Sequence, residues 1–467
     1  MGNHVARNIS NSTKKTDAVT NNSNALTTNT VSRSSSGNDI EHSSPTQFFP
    51  IDNLAKILSH LTYEEKHVHG ITMSVFEKYL FPNYPTLAEK LFTYLHHSAE
   101  ASTPHLTVSA FKQQSEKFLS VMSDQTILEN YITIYSNIKD GDICPDLLRS
   151  LLMTCYQLAM DSTGTTTCIY IHRVVNAVVI SCFHGKDTLS VSYVSNWMWQ
   201  HCSRIVHGLH CYVVHVLTTA YRNGKALLSK EQPQPHLEIP TPVLERADCF
   251  DQPQVLLPVS YPNMYAHVTT GNICPRHWTL LYNSSEHGAG ANRFLHHVLG
   301  YRGPTLLFVK AADPEKDGEY FMYCMCSAVE WRESHLYWGD EDSVGIQLSP
   351  FYRVIEKGPK VLYLNTGIRG YPHGLRFGSN PRSPHISIDE SFHSVSIAGA
   401  PYPIATLEVW GCGDVKLRER QLDIKKWQVK EAERQRIVKL SASDWLDHPD
   451  RYLLELAGRA SYNESNK

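Results

Sequence analysis

The sequence has no apolar run long enough to cross a bilayer as a helix. The best run extends from Val174 to Phe183, about half of the roughly 20 residues that a transmembrane helix requires. Residues 8–45 are polar and lack the apolar core of a secretory signal. We therefore expect neither a membrane span nor secretion.

A disulfide framework is also missing. The 11 cysteines are odd in number, scattered along the chain and mostly embedded in apolar runs, whereas a disulfide scaffold is short and dense in cysteine. We predict reduced and mainly buried thiols. The net charge of -3 gives no general attraction for nucleic acid, and we predict no nucleic-acid partner.

The common catalytic fingerprints are absent as well. The sequence contains no nucleophile elbow, no zinc-protease helix, no phosphate loop and no dinucleotide-binding glycine motif. Their absence argues against the common hydrolases, kinases and dehydrogenases. We expect a protein that is not an enzyme and that needs no cofactor.

Two patterns invite a test for bound metal. The best calcium-loop candidate sets Gly141 at the sixth position, but Ile138 has no side-chain oxygen and Leu147 stands where a closing Glu is needed. We predict no calcium binding there. His207, Cys211 and His215 lie on one helical face at four-residue steps, with His210 beside them, and His and Cys are zinc ligands. No fourth ligand is evident, so we expect a chance stripe and no zinc site.

The pattern of residue types divides the chain into five parts. Residues 1–45 are rich in Ser, Thr and Asn, which predicts disorder. Residues 46–222 show helical periodicity and predict a degenerate EF-hand-like domain. A proline-rich linker follows at 223–242. Short strands separated by Gly and Pro at 243–414 predict an antiparallel β-sandwich, and 415–467 predict a charged helical segment. The predicted fold class is α+β.

The segment from about 415 to 440 is the most distinctive electrostatic feature. Residues 416–439 carry nine Lys/Arg against four Asp/Glu, a net charge of +5. Gly411 and Gly413 precede the helix, and we expect them to uncouple it from the sandwich. A charged helix is often only a solvated face; the alternative is an arm that docks on a partner. The candidate partner-binding residues are Trp427, Lys425, Lys426, Lys430 and Arg434.

The chain begins Met1-Gly2-Asn3, and Gly2 is the residue that N-myristoylation requires. The usual Ser or Thr of that motif is replaced by Ala6. Gly2 is therefore a lipidation candidate that would give peripheral membrane association, and an ordinary terminus is the open alternative.

Several motifs in the β-like region resemble those of one family, and they occur in the family's order. They are residues 276–288 (RHWTLLYNSSEHG), 303–307 (GPTLL), 363–367 (YLNTG), 372–378 (PHGLRFG) and 407–410 (LEVW). Together they resemble the TLDc domain over about 243–414. The resemblance implies a β-sandwich with flanking helices, binding to the vacuolar proton-pumping ATPase and protection against oxidative stress. No catalytic residue is carried over from it.

The ends of the chain narrow this resemblance. The start, the degenerate EF-hand-like helices, the charged final helix and residues 453–458 (LLELAG) are similar to a lysosomal member of the family linked to mTOR signalling. This implies a location in the cytoplasm and on the cytoplasmic face of the lysosomal membrane. The implied partners are vacuolar ATPase subunits and mTOR signalling components. The alternative is a protective enzyme with a reactive cysteine, for which Cys412 is the candidate.

Two features of this region leave its partner surface open. The family's Phe-Gly-Gly strand is replaced by Phe321, Met322 and Tyr323, which predicts altered packing or an altered surface. Further along the chain, four glycines recur every three or four residues. They either allow the chain to present a fixed loop or only shape turns. They are Gly367, Gly370, Gly374 and Gly378.

Overall fold

In the computed structural model, helices form the N-terminal part of the described chain and strands form the rest. The described residues are 49–137, 141–163, 171–223, 243–244, 277–313, 320–413 and 415–436. The helices of the N-terminal part are α1 (Phe49–Lys66), α2 (Met73–Leu80), α3 (Pro85–Ser98), α4 (Val108–Leu119), α5 (Asp124–Tyr135), α6 (Pro145–Thr163), α7 (Ile171–Phe183), α8 (Val191–Cys202) and α9 (His207–Thr219), followed by a 3-10 turn at Ala220–Asn223. None of the described helices combines the length and apolarity needed to cross a membrane.

Apolar stripes hold these helices together. In α3, Leu87, Leu91 and Leu95 recur at four-residue steps and are all buried, because such steps place side chains on one face. The loops between helices meet in pairs. Ile71 bridges to Leu106, and the short strands β1 (Asp142–Ile143) and β2 (Leu189–Ser190) pair antiparallel. These loop pairings join neighbouring helix–loop–helix units.

In the described residues of the C-terminal part, the strands form an 11-stranded sheet. Its strands are β3 (Val243–Leu244), β4 (His277–Asn283), β5 (Thr305–Ala312), β6 (Tyr320–Ser327), β7 (Val344–Ser349), β8 (Arg353–Lys357), β9 (Leu362–Asn365), β10 (Gly374–Phe377), β11 (Ile386–Ile388), β12 (Ser394–Ile397) and β13 (Ala400–Gly411). Its order is β8-β7-β6-β5-β13-β12-β11-β10-β9, with β4 on β13 and β3 on β4. The described residues of this part also form the helices α10 (Ser284–His287), α11 (Ala291–Val298) and α12 (Val415–Arg436).

Strand β13 connects two layers of this sheet. Its first residues pair with β12, whereas the residues from Ile404 onward pair with β5. The two layers face each other across an apolar core. In β7, a Cβ atom on Gly345 would come within 2.2 Å of the Phe377 ring of β10. The predicted sandwich and α+β class are therefore confirmed.

The outer face of the β5–β7 layer packs on the helical part. Tyr352 is fully buried, and its backbone N–H donates to Ser181 Oγ of α7 at 2.8 Å. Its hydroxyl donates to the carbonyl oxygen of His201 at 3.2 Å. One continuous apolar cluster includes helix residues such as Val178 and strand residues such as Cys324. The predicted helical and β regions thus share a core, and the exact domain boundaries stay predictions.

Met322 and Tyr323 occupy the inside of this arrangement. Both are buried in β6, where Met322 belongs to the core shared with the helices and Tyr323 to the core between the layers. Burial raises the pKa of Tyr323 to about 12. Their replacement of the family's glycines therefore changes packing, and the alternative of an altered surface at these positions is wrong.

Candidate protein-binding surface

The beginning of α12 is packed against the sandwich. Tyr301 is buried, and its hydroxyl accepts a hydrogen bond from the Gly413 N–H at 2.8 Å. A Cβ on Gly411 would lie 2.5 Å from Tyr301 Cζ, and one on Gly413 would lie 2.3 Å from Leu417 Cδ1. The glycines therefore allow close packing, and the expectation that they uncouple the helix is wrong.

A buried amide fixes the second turn of α12. Gln421 is fully buried, and its Nε2 donates to the carbonyl oxygens of His297 at 3.0 Å and Leu299 at 2.9 Å. The last carbonyls of a helix have no partner within it. Gln421 supplies that partner at the end of α11, and its Oε1 accepts a hydrogen bond from Arg418.

Lys425 belongs to the same docked side of the helix. Its Nζ lies 3.4 Å from the His297 carbonyl oxygen, a favourable place for a cation at a helix C-terminus. Burial lowers the pKa of Lys425 to about 8, with a smaller contribution from the positive charge of Arg418. Lys425 therefore contacts its own protein, and its role as a partner-binding residue stays a prediction.

The opposite side of α12 is open to solvent. Trp427 is 64% exposed, and Lys426, Lys430 and Arg434 are exposed beside it. At 3.6 residues per turn these four side chains lie within one arc, facing away from Leu417 and the other docked residues. We call these four residues the basic face. Among the described residues, none covers Trp427 enough to bury it.

The ion pairs of the basic face do not neutralise it. Lys426 lies 3.7 Å from Asp423, and Arg434 lies 3.3 Å from Glu431, both along the helix and both solvent-exposed. Exposed pairs of this kind contribute about 0–1 kcal/mol and exchange readily for other partners. The cations therefore stay available to an acidic surface.

The candidate for a reactive cysteine has the wrong environment for that chemistry. Cys412 is fully buried, and burial raises its pKa well above the usual range. Peroxide reduction needs an accessible thiolate. Cys324 and Cys326 lie in strand β6 and are also buried, with their Sγ atoms 3.9 Å apart.

The metal candidates do not assemble a cage in the described part of the chain. Cys211 Sγ lies 3.7 Å from His207 Nε2, but no group of three possible ligands forms among the residues described. Gly141 has a φ of 67° at the turn of the calcium-loop candidate, whereas Ile138 lies outside the described residues. Absence of calcium binding stays a prediction. Gly2 likewise lies outside the described residues.

Sequence reasoning missed the residues that seat α12. Gln421 and Tyr301 are the main ones, and they meet carbonyls or glycines far away in the sequence. The four-residue steps from Leu417 to Gln421 and Lys425 were the available signal. These steps do not form an apolar stripe, because two of the three side chains are polar, so the pattern does not predict a docked face.

The described part of the chain combines a helical region, a two-layered antiparallel sandwich and a basic helix docked on that sandwich. The sequence model of the TLDc domain matches residues 252–413. The motifs and this match thus agree on a TLDc domain over residues 252–413.

Similar proteins include three fungal relatives called restriction of telomere capping protein 5. The one from Pyricularia oryzae is 25% identical over 301 residues, covering 49% of this chain and 47% of the relative. The one from Leptosphaeria maculans is 25% identical over 303 residues, covering 49% and 48%. The one from Lachancea thermotolerans is 33% identical over 153 residues, 27% of each chain. The aligned region thus spans about half the length of the first two relatives or less. Their name differs from that of the lysosomal member suggested by the ends of this chain.

Proposed function

We propose that this chain is a non-enzymatic regulatory protein that binds an acidic surface of the vacuolar proton-pumping ATPase through the basic face of α12. The observation that carries the proposal is a tryptophan left 64% exposed among three cations on a helix whose other side is firmly docked. The TLDc domain supports the choice of partner through the family resemblance.

The charge of the helix, its exposed tryptophan and its fixed position all favour binding to an acidic partner. A segment with a net charge of +5 stands on a chain with a net charge of -3, so an acidic partner is attracted locally. Tryptophan and arginine at the centre of an interface contribute most of its binding energy. The docked side holds the helix in place, so little ordering entropy is lost on binding.

The proposed location is the cytoplasm and the cytoplasmic face of the lysosomal membrane, with mTOR signalling components as further partners. The resemblance of the chain's ends to the lysosomal family member supports this. Myristoylation at Gly2 would add weak and reversible membrane attachment. Mass spectrometry of the N-terminal peptide tests that modification, and an unmodified Gly2 would remove the anchor from the proposal.

Affinity purification from cells tests the central proposal. Pump subunits should be recovered with the tagged chain, and the triple change Lys426→Glu, Lys430→Glu and Arg434→Glu should reduce recovery at least about tenfold, because it turns attraction into repulsion. The matched control reverses three exposed lysines of the helical part and should retain the pump. These control positions are Lys66, Lys117 and Lys186.

Two outcomes would contradict the proposal. One is equal recovery of pump subunits by both triple variants. The other is recovery of telomere capping proteins in place of pump subunits, which would favour the role in the relatives' printed name.

A further inference from the structure

A second surface with its own chemistry lies at the end of the sandwich, in a cleft of about 440 Å³. Its walls come from the segment before Trp338, from β10 and from the glycine-rich connection between β9 and β10. Tyr337, Tyr363 and Tyr371 supply aromatic surface, and Lys360 and Arg376 supply positive charge. We call this the tyrosine–arginine cleft.

The glycine-rich connection is held in one conformation. Asn365 is fully buried, and its Nδ2 donates to the carbonyl oxygens of Ile368 at 3.0 Å and Pro372 at 3.1 Å. Tyr363 donates its hydroxyl to the same Pro372 oxygen at 2.7 Å. Gly374 has a φ of 102°, and a Cβ there would lie 2.1 Å from the Ile388 carbonyl oxygen. The connection is therefore a fixed loop that presents Tyr371 to the cleft.

Two hydrogen-bond donors inside the cleft lack a protein acceptor. The Tyr337 hydroxyl and Arg376 Nε are both buried atoms with no hydrogen-bond acceptor among the described residues, and the Arg376 side chain lies beside the Tyr337 hydroxyl. Burial raises the pKa of Tyr337, so its hydroxyl keeps its proton at neutral pH. A buried donor without an acceptor costs free energy, and a ligand oxygen that accepts from it recovers that cost.

The charge around these donors has one sign. Among the described residues that line the cleft there is no Asp or Glu, whereas Arg376 and Lys360 both contribute positive charge. The rim is apolar as well as basic, because Leu336 is 63% exposed and Tyr371 is 48% exposed. This combination suits a carboxylate that is carried next to apolar side chains.

We propose that the tyrosine–arginine cleft binds an acidic peptide segment of a protein partner, with an Asp or Glu carboxylate on Arg376 and Tyr337 and a flanking apolar side chain on Leu336 and Tyr371. The guanidinium of arginine matches the geometry of a carboxylate. A bare phosphate would leave the apolar rim unused. The cleft is distinct from the basic face of α12 and does not depend on its proposed role.

The test uses the purified full chain and an array of seven-residue peptides. Each peptide has a central Asp or Glu with varied apolar neighbours, and a matched array has Asn or Gln at the centre. The chain should be retained on carboxylate peptides that carry a neighbouring Leu, Phe or Tyr. In fluorescence anisotropy, Arg376→Gln should weaken binding of the best peptide at least about tenfold, and Tyr337→Phe should weaken it about threefold to tenfold, because the latter removes one hydrogen bond.

Arg382→Gln is the control, since Arg382 is exposed in the next loop and does not line the cleft. It should leave peptide binding unchanged. Circular dichroism checks that each variant is folded. If Arg376→Gln unfolds the chain, Tyr337→Phe still tests the cleft, because it removes the hydroxyl and keeps the ring in place. Equal retention on both arrays would overturn the proposal. So would binding that survives both cleft variants, or displacement of the peptide by inorganic phosphate at the peptide's own concentration.

Discussion

Gln421 shows how one buried amide seats a whole helix. Its Nε2 is the hydrogen-bond partner of carbonyl oxygens at the end of α11, more than a hundred residues earlier in the chain. Because the side chain is fully buried, its loss would leave those oxygens without a partner in a site closed to water.

Gln421→Ala should therefore lower the free energy of unfolding by about 1–3 kcal/mol, the usual cost of leaving buried polar groups unsatisfied. Gln428→Ala, one heptad further along α12 at an exposed position, is the control and should change stability by less than about 0.5 kcal/mol. Urea unfolding followed by circular dichroism measures both. Equal effects of the two substitutions would show that Gln421 does not seat the helix.

Lys425 makes the stability of the chain depend on pH. Its pKa is about 8 in the folded chain, below its ordinary value of 10.5, mainly because of burial. Between these two values the unfolded chain holds a proton that the folded chain has lost, so stability gains a contribution as pH rises through this window. Below about pH 8 the burial penalty of the charged ammonium is fully present.

Lys425→Met removes that titration. The difference in Tm between Lys425→Met and the original chain should favour the variant at pH 7 and shrink as pH rises from 8 to 10.5. Lys426→Met, at an exposed position, should show no such trend. A difference that is constant across this range would rule out Lys425 as its source.

The junction between β13 and α12 is the element on which the docked helix depends. Gly411 packs against Tyr301, and an added Cβ would lie 2.5 Å from the ring, which is closer than van der Waals contact. Gly367 has room for a side chain, because no heavy atom would lie within 4 Å of a Cβ added there. Its φ is also not positive.

Gly411→Ala should destabilise the chain by about 1–3 kcal/mol through overpacking. Gly367→Ala should remain within about 0.5 kcal/mol of the original chain. Thermal unfolding of both variants provides the comparison. A well-tolerated Gly411→Ala would mean that the junction is looser than its packing indicates.

For individual elements, local patterns in the sequence predicted much of what the structure contains. The strands expected over 243–414 include β5, where residues 305–309 form an apolar run. The helical segment expected from 415 includes α12, and residues 415–440 contain no Gly or Pro. Such signals depend on periodicity and on helix or strand breakers, which act locally. The docked side of α12 escaped prediction because Gln421 and Lys425 are polar, and their partner His297 comes from a distant segment.

The two faces of β5 illustrate a second limit. Its continuous apolar run is typical of a strand buried on both sides, and the structure places Phe308 toward the helices and Leu307 toward the second layer. The tyrosine–arginine cleft was missed because Tyr337 and Arg376 meet only through tertiary packing. The glycine-rich motif signalled the loop but not the donors beside it.

For the whole molecule, the core shared by helices and sheet predicts joint unfolding. Tyr352 and Val354 of the β region bond to Ser181 and His201 of the helical region at 2.8–3.2 Å. Burial lowers the pKa of His201, which keeps its Nδ1 available as an acceptor for the Val354 N–H.

One transition should therefore appear in urea, at the same midpoint for helix circular dichroism and for tryptophan fluorescence. Coincident transitions by different probes are the test of two-state behaviour. The buried sheet tryptophans that report on the β region are Trp278, Trp331, Trp338 and Trp410. Two separated midpoints would show that the shared core does not couple the regions.

The central claim is that the basic face of α12 binds the proton pump. The most direct measurement is the Kd of the purified full chain for the purified cytoplasmic sector of the vacuolar ATPase. Trp427→Ala should weaken binding about thirtyfold or more, as expected when an interface loses a hot spot worth about 2 kcal/mol, while Tm stays unchanged. Trp199→Ala is the matched control, because Trp199 is the exposed tryptophan of α8. It should bind like the original chain. Unchanged binding by Trp427→Ala, or no binding by the original chain at low salt, would contradict the account.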